Sequence, residues 1–202
     1  MTRVIAGVDE AGRGPVICPM VIAAAAGNEE LSTSLIGIGV RDSKSLAPSK
    51  RASLSIKLLS MLRVEAFVIP PSVIDDNVKA RGGNLNDLEA FLMGELIRTL
   101  KPHEAVVDAL GSELGFAEKV SRYAEGIPVR ATHDADSSCP FVSAASIIAK
   151  VIRDNAVSGV PFAGSGYPSD NRTIEFLLRI GTRPSFVRKS WKIKAWLFQS
   201  SG

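Results

Sequence analysis

An apolar run that ends in two adjacent carboxylates constrains this chain more than any other feature. Val4-Ile5-Ala6-Gly7-Val8 reads as a buried strand, Asp9 and Glu10 follow at once, and a Gly12-Arg13-Gly14 turn comes next. Carboxylates at the end of a buried strand are costly unless a positive charge compensates them. A hard divalent cation such as Mg²⁺ or Mn²⁺ is the usual compensator, because it prefers carboxylate oxygen. The glycines let backbone N–H groups approach a ligand closely, and Arg13 is placed for a phosphate. A strand that simply ends at the surface would read the same way over these few residues. Adjacent strand residues also point to opposite faces, so Asp9 and Glu10 can share a site only where the strand ends or twists.

The remainder of the chain supplies a setting for that run. Strand signals at Val4–Asp9 and Met20–Ala26, joined by a short loop, predict antiparallel neighbours. A Gly-rich connection leads to a polar loop, Arg41-Asp42-Ser43-Lys44. Pro48 opens a helix to about Met61, a favoured first-turn position for proline. Val64–Ile69 is a β-rich run, and Ser72 is placed to cap a short helix. Leu88, Phe91, Leu92, Leu96 and Leu100 recur at helical spacing before Pro102 ends the pattern. Ala105-Val106-Val107-Asp108 is a short strand that again finishes in a carboxylate. A helix around Phe116–Ala124, a strand around Val129–Thr132 and a polar loop, His133-Asp134-Ala135-Asp136, precede a helix over Phe141–Val157 that is rich in small residues. Helices near Arg172–Ile180 and Phe186–Phe198 complete the reading. Strands lead and then alternate with helices, which predicts an α/β fold with a mixed sheet.

At 202 residues the chain can bury one sizeable core. Its longest apolar run, Val16 to Ala26, has 11 residues and is too short to span a bilayer. Acidic Asp9 and Glu10 stand where a secretion signal would be basic. Cys18 and Cys139 are the only cysteines, with no zinc spacing and no disulfide framework, so a cytoplasmic protein is expected. Net charge is +3, unevenly spread: residues 171–202 hold seven basic side chains and one acid. That basic tail, with Trp191 and Trp196, suits a polyanion such as nucleic acid. The alternative is a solvated amphipathic helix whose tryptophans pack on the core, and for the tryptophans that is the better reading.

Asp9, Glu10, Asp108 and Asp136 each close a strand or open a helix instead of decorating a solvated face. If the strands ending at Asp9 and Asp108 are neighbours, their carboxylates meet at one edge of the sheet, and Asp136 could join them. Such a cluster repels itself without cations. Two Mg²⁺ or Mn²⁺ ions would neutralise it and clamp a phosphodiester for in-line attack by water.

These segments resemble the signature of type 2 ribonucleases H, the ribonuclease HII family. The likeness runs through Asp9-Glu10-Ala11-Gly12-Arg13-Gly14-Pro15, Asp42-Ser43-Lys44-Ser45-Leu46, Asn84-Leu85-Asn86, Val107-Asp108-Ala109 and the stretch from Val142 to Asp154. Gly164-Ser165-Gly166-Tyr167-Pro168-Ser169-Asp170 and Val187-Arg188-Lys189-Ser190-Trp191 resemble the archaeal form in particular. The resemblance implies a ribonuclease H-like fold, a five-stranded mixed sheet flanked by helices with a helical C-terminal portion. Residues 1–157 would then be the catalytic domain and 158–202 a basic, substrate-binding portion of the same compact unit. It implies an endonuclease, a monomer, that cuts the RNA strand of RNA–DNA hybrids and at ribonucleotides in duplex DNA. Products would carry a 5′-phosphate and a 3′-hydroxyl.

By position, Asp9, Glu10, Asp108 and Asp136 correspond to the family's metal-binding acids, with Asp134 the nearest rival to Asp136. Gly12, Arg13 and Gly14 resemble the backbone clamp around the ribonucleotide, and Tyr167 its stacking partner. Lys44, Lys150, Arg153, Arg188 and Lys189 become candidates for phosphate contacts, and Ser143 and Ser146 for hydrogen bonds near the scissile phosphate. Some relatives dock on a sliding clamp through a C-terminal peptide. Lys194-Ala195-Trp196-Leu197-Phe198 does not match that peptide convincingly, which leaves clamp docking open.

Overall fold

The computed structural model describes residues 2–40, 46–160, 164–182 and 184–191. Strands β1 (Val4–Ala11) and β2 (Met20–Asn28) lead, followed by helices α1 (Leu31–Gly37) and α2 (Pro48–Met61). Strand β3 (Arg63–Ile69) and helices α3 (Pro71–Lys79) and α4 (Leu85–Leu100) come next. Strand β4 (Glu104–Asp108), helix α5 (Glu113–Ser121), strand β5 (Val129–Thr132) and the one-turn α6 (Ala135–Ser138) precede the long α7 (Pro140–Ser158) and α8 (Asn171–Ile180). The sheet order is β3-β2-β1-β4-β5. β1 pairs antiparallel with β2 and parallel with β4, so the sheet is mixed and β1 is its centre.

Side chains alternate across β1 and sort the helices into two layers. Ala6 and Val8 join the core beneath α4 and α5, while Ile5 and Ala11 join the core beneath α2 and α7. Gly7 is what lets α7 lie directly on the sheet. A Cβ there would stand 2.1 Å from the Phe141 carbonyl carbon and the Val142 nitrogen. The small residues of α7 serve the same approach: Ala144, Ala145 and Ala149 are all fully buried. A third, smaller core joins Val16, Ile17 and Cys18 after β1 to Phe176 and Leu177 of α8 and to Val187.

Several expectations need correction. The connection after β2 holds the short helix α1, which its Ser/Thr-rich composition concealed. Ser72 is not a cap, since Pro70 stands at the N-cap and Pro71 opens α3. On α4 the buried stripe is Ala90, Met93, Leu96, Ile97 and Leu100, whereas Phe91 is exposed and meets Tyr123 edge to face. Residues 186–191 form turns and one bridge, Ile17↔Val187, instead of opening a helix. The reason is tertiary: Cys18 N–H donates to the Phe186 carbonyl and Arg188 N–H donates to the Val16 carbonyl, at 2.8 and 2.9 Å, which ties the segment to residues 16–18. The rest of that expected helix, 192–198, lies outside the described residues, as do Lys44 and the Lys194–Phe198 peptide.

Candidate active site

β4 stops at Asp108, and its last pairing with β1 is Val8↔Val107. Beyond that point the flank of β1 is uncovered, and Asp9 and Glu10 stand there. They do face opposite sides of the sheet, as strand geometry requires. Asp9 is on the α7 side, where the Ser146 hydroxyl bonds to it, and Glu10 is on the α4 side, near Glu89. The open flank lets both reach one cleft of about 480 Å³. Asp108 and Asp136 line the same cleft, so all four acids come together. Asp136 is buried in the first turn of α6, while its rival Asp134 is exposed and in the left-handed backbone region.

The acids are held as a crowded set. Asp9 Oδ1 accepts from the Glu10 N–H at 2.8 Å, and Asp108 Oδ1 accepts from the Ala135 N–H at 2.7 Å. Burial, then the charge of Glu10, pushes the Asp9 carboxyl well above the usual carboxylate range, with Asp108 adding to the push. Burial and the charges of Glu89 and Asp108 push Glu10 up to about 7. Among the described residues Glu10 Oε2 is buried with no hydrogen-bond partner. These are hard oxygen donors under mutual repulsion, one of them orphaned, which is the chemistry a divalent cation would satisfy. Among the described residues no three such side chains already stand as a finished ligand set.

The turn after β1 walls one end of the cleft. Gly12 has φ +87°, a region costly to any residue with a Cβ, and a Cβ there would stand 2.9 Å from the Pro19 carbonyl oxygen. A Cβ on Gly14 would lie 3.2 Å from the ring of Tyr167, so that exposed ring borders the turn. Arg153 stacks over the same ring at 5.3 Å and donates to the Ser165 carbonyl at 2.6 Å. Lys150 lines the cleft and donates to Ser146 Oγ at 2.7 Å.

Several candidate residues are placed otherwise than expected. Arg13 lines the cleft as expected, but its guanidinium turns toward α4, ion-paired with Glu89 and donating to Asn86 Oδ1 at 2.5 Å. Arg188 is fully buried and donates to the carbonyls of Arg13 (2.7 Å), Gly12 and Cys18, with its guanidinium 4.9 Å from the Trp191 ring centre. It therefore supports the turn from behind and cannot meet a phosphate. Ser143 is buried and donates to the Val40 carbonyl, which removes it from substrate contact. Ser146, also fully buried, sits behind Asp9. Lys189 is exposed outside the cleft lining, its N–H bonded to Asp75 Oδ2 at 2.8 Å.

The sequence reading passed over Glu89, Asp75, Arg51 and Asp154. Arg51 and Asp154 line the cleft and pair with each other at 2.7 Å. Glu89 carried a readable signal, since it falls four residues before Met93 on an otherwise apolar helix face.

A mixed five-stranded sheet in this order, with acids where its two central parallel strands end, defines an enzyme of the ribonuclease H-like fold. The chain belongs to the ribonuclease HII family: the profile described as Ribonuclease HII matches residues 6–194. It is similar to the ribonuclease HII of Methanobrevibacter smithii, 40% identical over 196 residues, covering 93% of this chain and 94% of that one. It is also similar to the crystal structure of ribonuclease H2 from Pyrococcus horikoshii OT3, with TM-score 0.88 and 37% identity over 98% of this chain and 100% of that one. The structure of the PCNA:RNase HII complex from Archaeoglobus fulgidus matches at TM-score 0.85 and 34% identity, covering 95% and 96%. The protein is thus a metal-dependent endoribonuclease, of a family that cuts RNA within RNA–DNA hybrids.

Proposed function

We propose that this enzyme, besides cutting the RNA strand of hybrids, nicks duplex DNA at embedded ribonucleotides and leaves 5′-phosphate and 3′-hydroxyl ends. The observation that carries this reading is the convergence of Asp9, Glu10, Asp108 and Asp136 in one cleft bordered by the Gly12–Gly14 turn and Tyr167. The four acids would hold the divalent ions, Mg²⁺ or Mn²⁺ and two of them with substrate bound. When bound, such ions activate a water and stabilise the departing oxygen. The chain's own groups prepare that place: Ser146 and the Ala135 N–H orient Asp9 and Asp108, and the orphaned Glu10 oxygen gains a partner.

Backbone groups of the turn can read a 2′-hydroxyl without reading the base, which separates RNA from DNA irrespective of sequence. Tyr167, exposed beside the turn and backed by Arg153, can stack on a sugar or base at the junction. Lys150 and Arg153 provide positive charge along the cleft, giving salt-dependent, sequence-independent binding. The small core that joins α8 to residues 16–18 supports treating 158–202 as the substrate-binding portion of one compact unit with 1–157. Two free cysteines suit a reducing cytoplasm, and among the described residues no helix is long and apolar enough to cross a membrane. The Archaeoglobus relative was solved with PCNA; clamp docking here would fall to the Lys194–Phe198 peptide.

The test is incubation with duplex DNA carrying one ribonucleotide, in Mg²⁺, Mn²⁺ or chelator, with the ends mapped. Nicking 5′ to nothing but the ribonucleotide region, dependent on metal, is the expected result. Folded protein that leaves the substrate intact in both metals refutes the proposal.

A further inference from the structure

Glu89 has no exposed surface, and its charge bears on Glu10, one of the crowded cleft acids. It therefore adds negative charge where negative charge is already most costly. Replacing a whole buried ion pair by apolar side chains is often neutral or stabilising, whereas removing one partner is costly, so stability alone does not explain why a pair stands here. What the pair holds does. Arg13 Nη1 donates to Glu89 Oε2, and Arg13 Nη2 donates to Asn86 Oδ1 at 2.5 Å. Asn86 and Glu89 are three residues apart on α4 and so share one face. A planar guanidinium gripped at two nitrogens by one helix has its orientation set.

The main chain of the same residue is gripped from the other side. Arg188 donates to the Arg13 carbonyl at 2.7 Å and to the Gly12 carbonyl. The turn is thus fixed between α4 and the C-terminal segment, with its glycines pressed on Pro19 and Tyr167.

We propose that Glu89 is a positioning residue for substrate recognition: by holding Arg13 it sets the Gly12–Gly14 turn that faces the ribonucleotide. Arg13 then serves the turn and not a substrate phosphate. This rests on the reading of the turn given under the proposed function.

The experiment is steady-state cleavage of a duplex carrying one ribonucleotide, at saturating Mg²⁺, by the full chain. The variants are Glu89→Gln, Glu89→Leu, Arg13→Leu and the double Arg13→Leu/Glu89→Leu. Glu89→Leu is expected to raise KM about tenfold with kcat within about twofold, the pattern of lost binding and not of lost chemistry. Glu89→Gln keeps an amide oxygen for Arg13 and should recover most of the loss. The double variant should be no worse than either single one, because the two side chains act as a unit.

An unchanged KM in Glu89→Leu overturns the inference. So does a shifted Mg²⁺ requirement in a parallel Mg²⁺ titration at unchanged KM, since Glu89 would then act through the charge on Glu10. Additive losses in the double variant also overturn it. Should Glu89→Leu fail to fold, the double variant is compared with Arg13→Leu alone: equal KM supports the inference and a further rise overturns it. A wild-type chain that cannot cut this duplex refutes the proposed function and this inference with it. An active wild type with an indifferent Glu89→Leu refutes the inference alone.

Discussion

Replacing Asp75 by alanine should destabilise the protein and loosen its recognition of substrate together. Asp75 is only 4% exposed. Its oxygens accept from the Lys189 and Ser190 N–H groups, both at 2.8 Å, and from the Ser190 hydroxyl. Alanine leaves two backbone donors without acceptors, and a buried unsatisfied donor costs about 1–3 kcal/mol. The segment lies near the surface, since Lys189 itself is exposed, so water can reach part of it. The lower end of the range applies, about 2–3 kcal/mol in all. For a chain of this size that lowers the melting temperature by about 4–12 °C.

The same change frees the neighbour of Arg188, which grips the carbonyls of Gly12 and Arg13, so KM for a single-ribonucleotide duplex should rise. The pH dependence follows from the carboxyl's own balance. Burial works to raise it, but the bonds from Ser190 and Lys189, aided by Lys79, outweigh burial and hold it below its ordinary value of 3.8. A depressed folded value contributes stability above 3.8 that disappears as the pH falls through the lower folded value. The gap between wild type and Asp75→Ala, read by thermal denaturation, should stay constant near neutrality and shrink below about pH 4. A variant that melts within about 1 °C of wild type at pH 7 would refute the reasoning.

Gly12→Ala should cost about 1–2 kcal/mol from the positive φ alone. The contact with the Pro19 oxygen adds to it, and kcat/KM on the single-ribonucleotide duplex should fall further than chemical denaturation does. Asp9→Asn should abolish turnover yet raise the melting temperature in chelator, because burial and the charge of Glu10 make the Asp9 carboxylate costly in the folded state. Glu10, pushed up to about 7, stabilises the fold fully only below its ordinary 4.5 and loses that contribution as the pH rises through 7. Scanning calorimetry in chelator should therefore show wild-type stability falling from about pH 5 to pH 8, with added Mg²⁺ restoring most at the higher pH.

Features set by local chemistry were legible in the sequence. Pro48 marks the start of α2, and the run Val129–Thr132, β-branched at both ends, coincides with β5. The strand-end acids were visible because carboxylates interrupt apolar runs at Asp9 and Asp108. Their meeting was not, since it depends on β4 pairing beside β1 across a hundred residues of chain. Arg188 reads in sequence as one more basic residue of the tail, and only tertiary packing turns it inward under the turn. The helix expected from Phe186 failed for the same reason, because bonds to Val16 and Cys18 outweigh local periodicity. Glu89 and Asp75 could have been suspected as acids on otherwise buried helix faces, but what they hold lies far away in the chain.

The most direct measurement is Mn²⁺ binding, followed by the paramagnetic signal of the free ion, with an uncleavable RNA–DNA hybrid present. Wild type should bind ions that Asp9→Asn, Asp108→Asn and Asp136→Asn each hold at least about tenfold more weakly, since each loses one hard oxygen donor. Affinity unchanged in Asp108→Asn and Asp136→Asn would contradict the shared site at the end of β1.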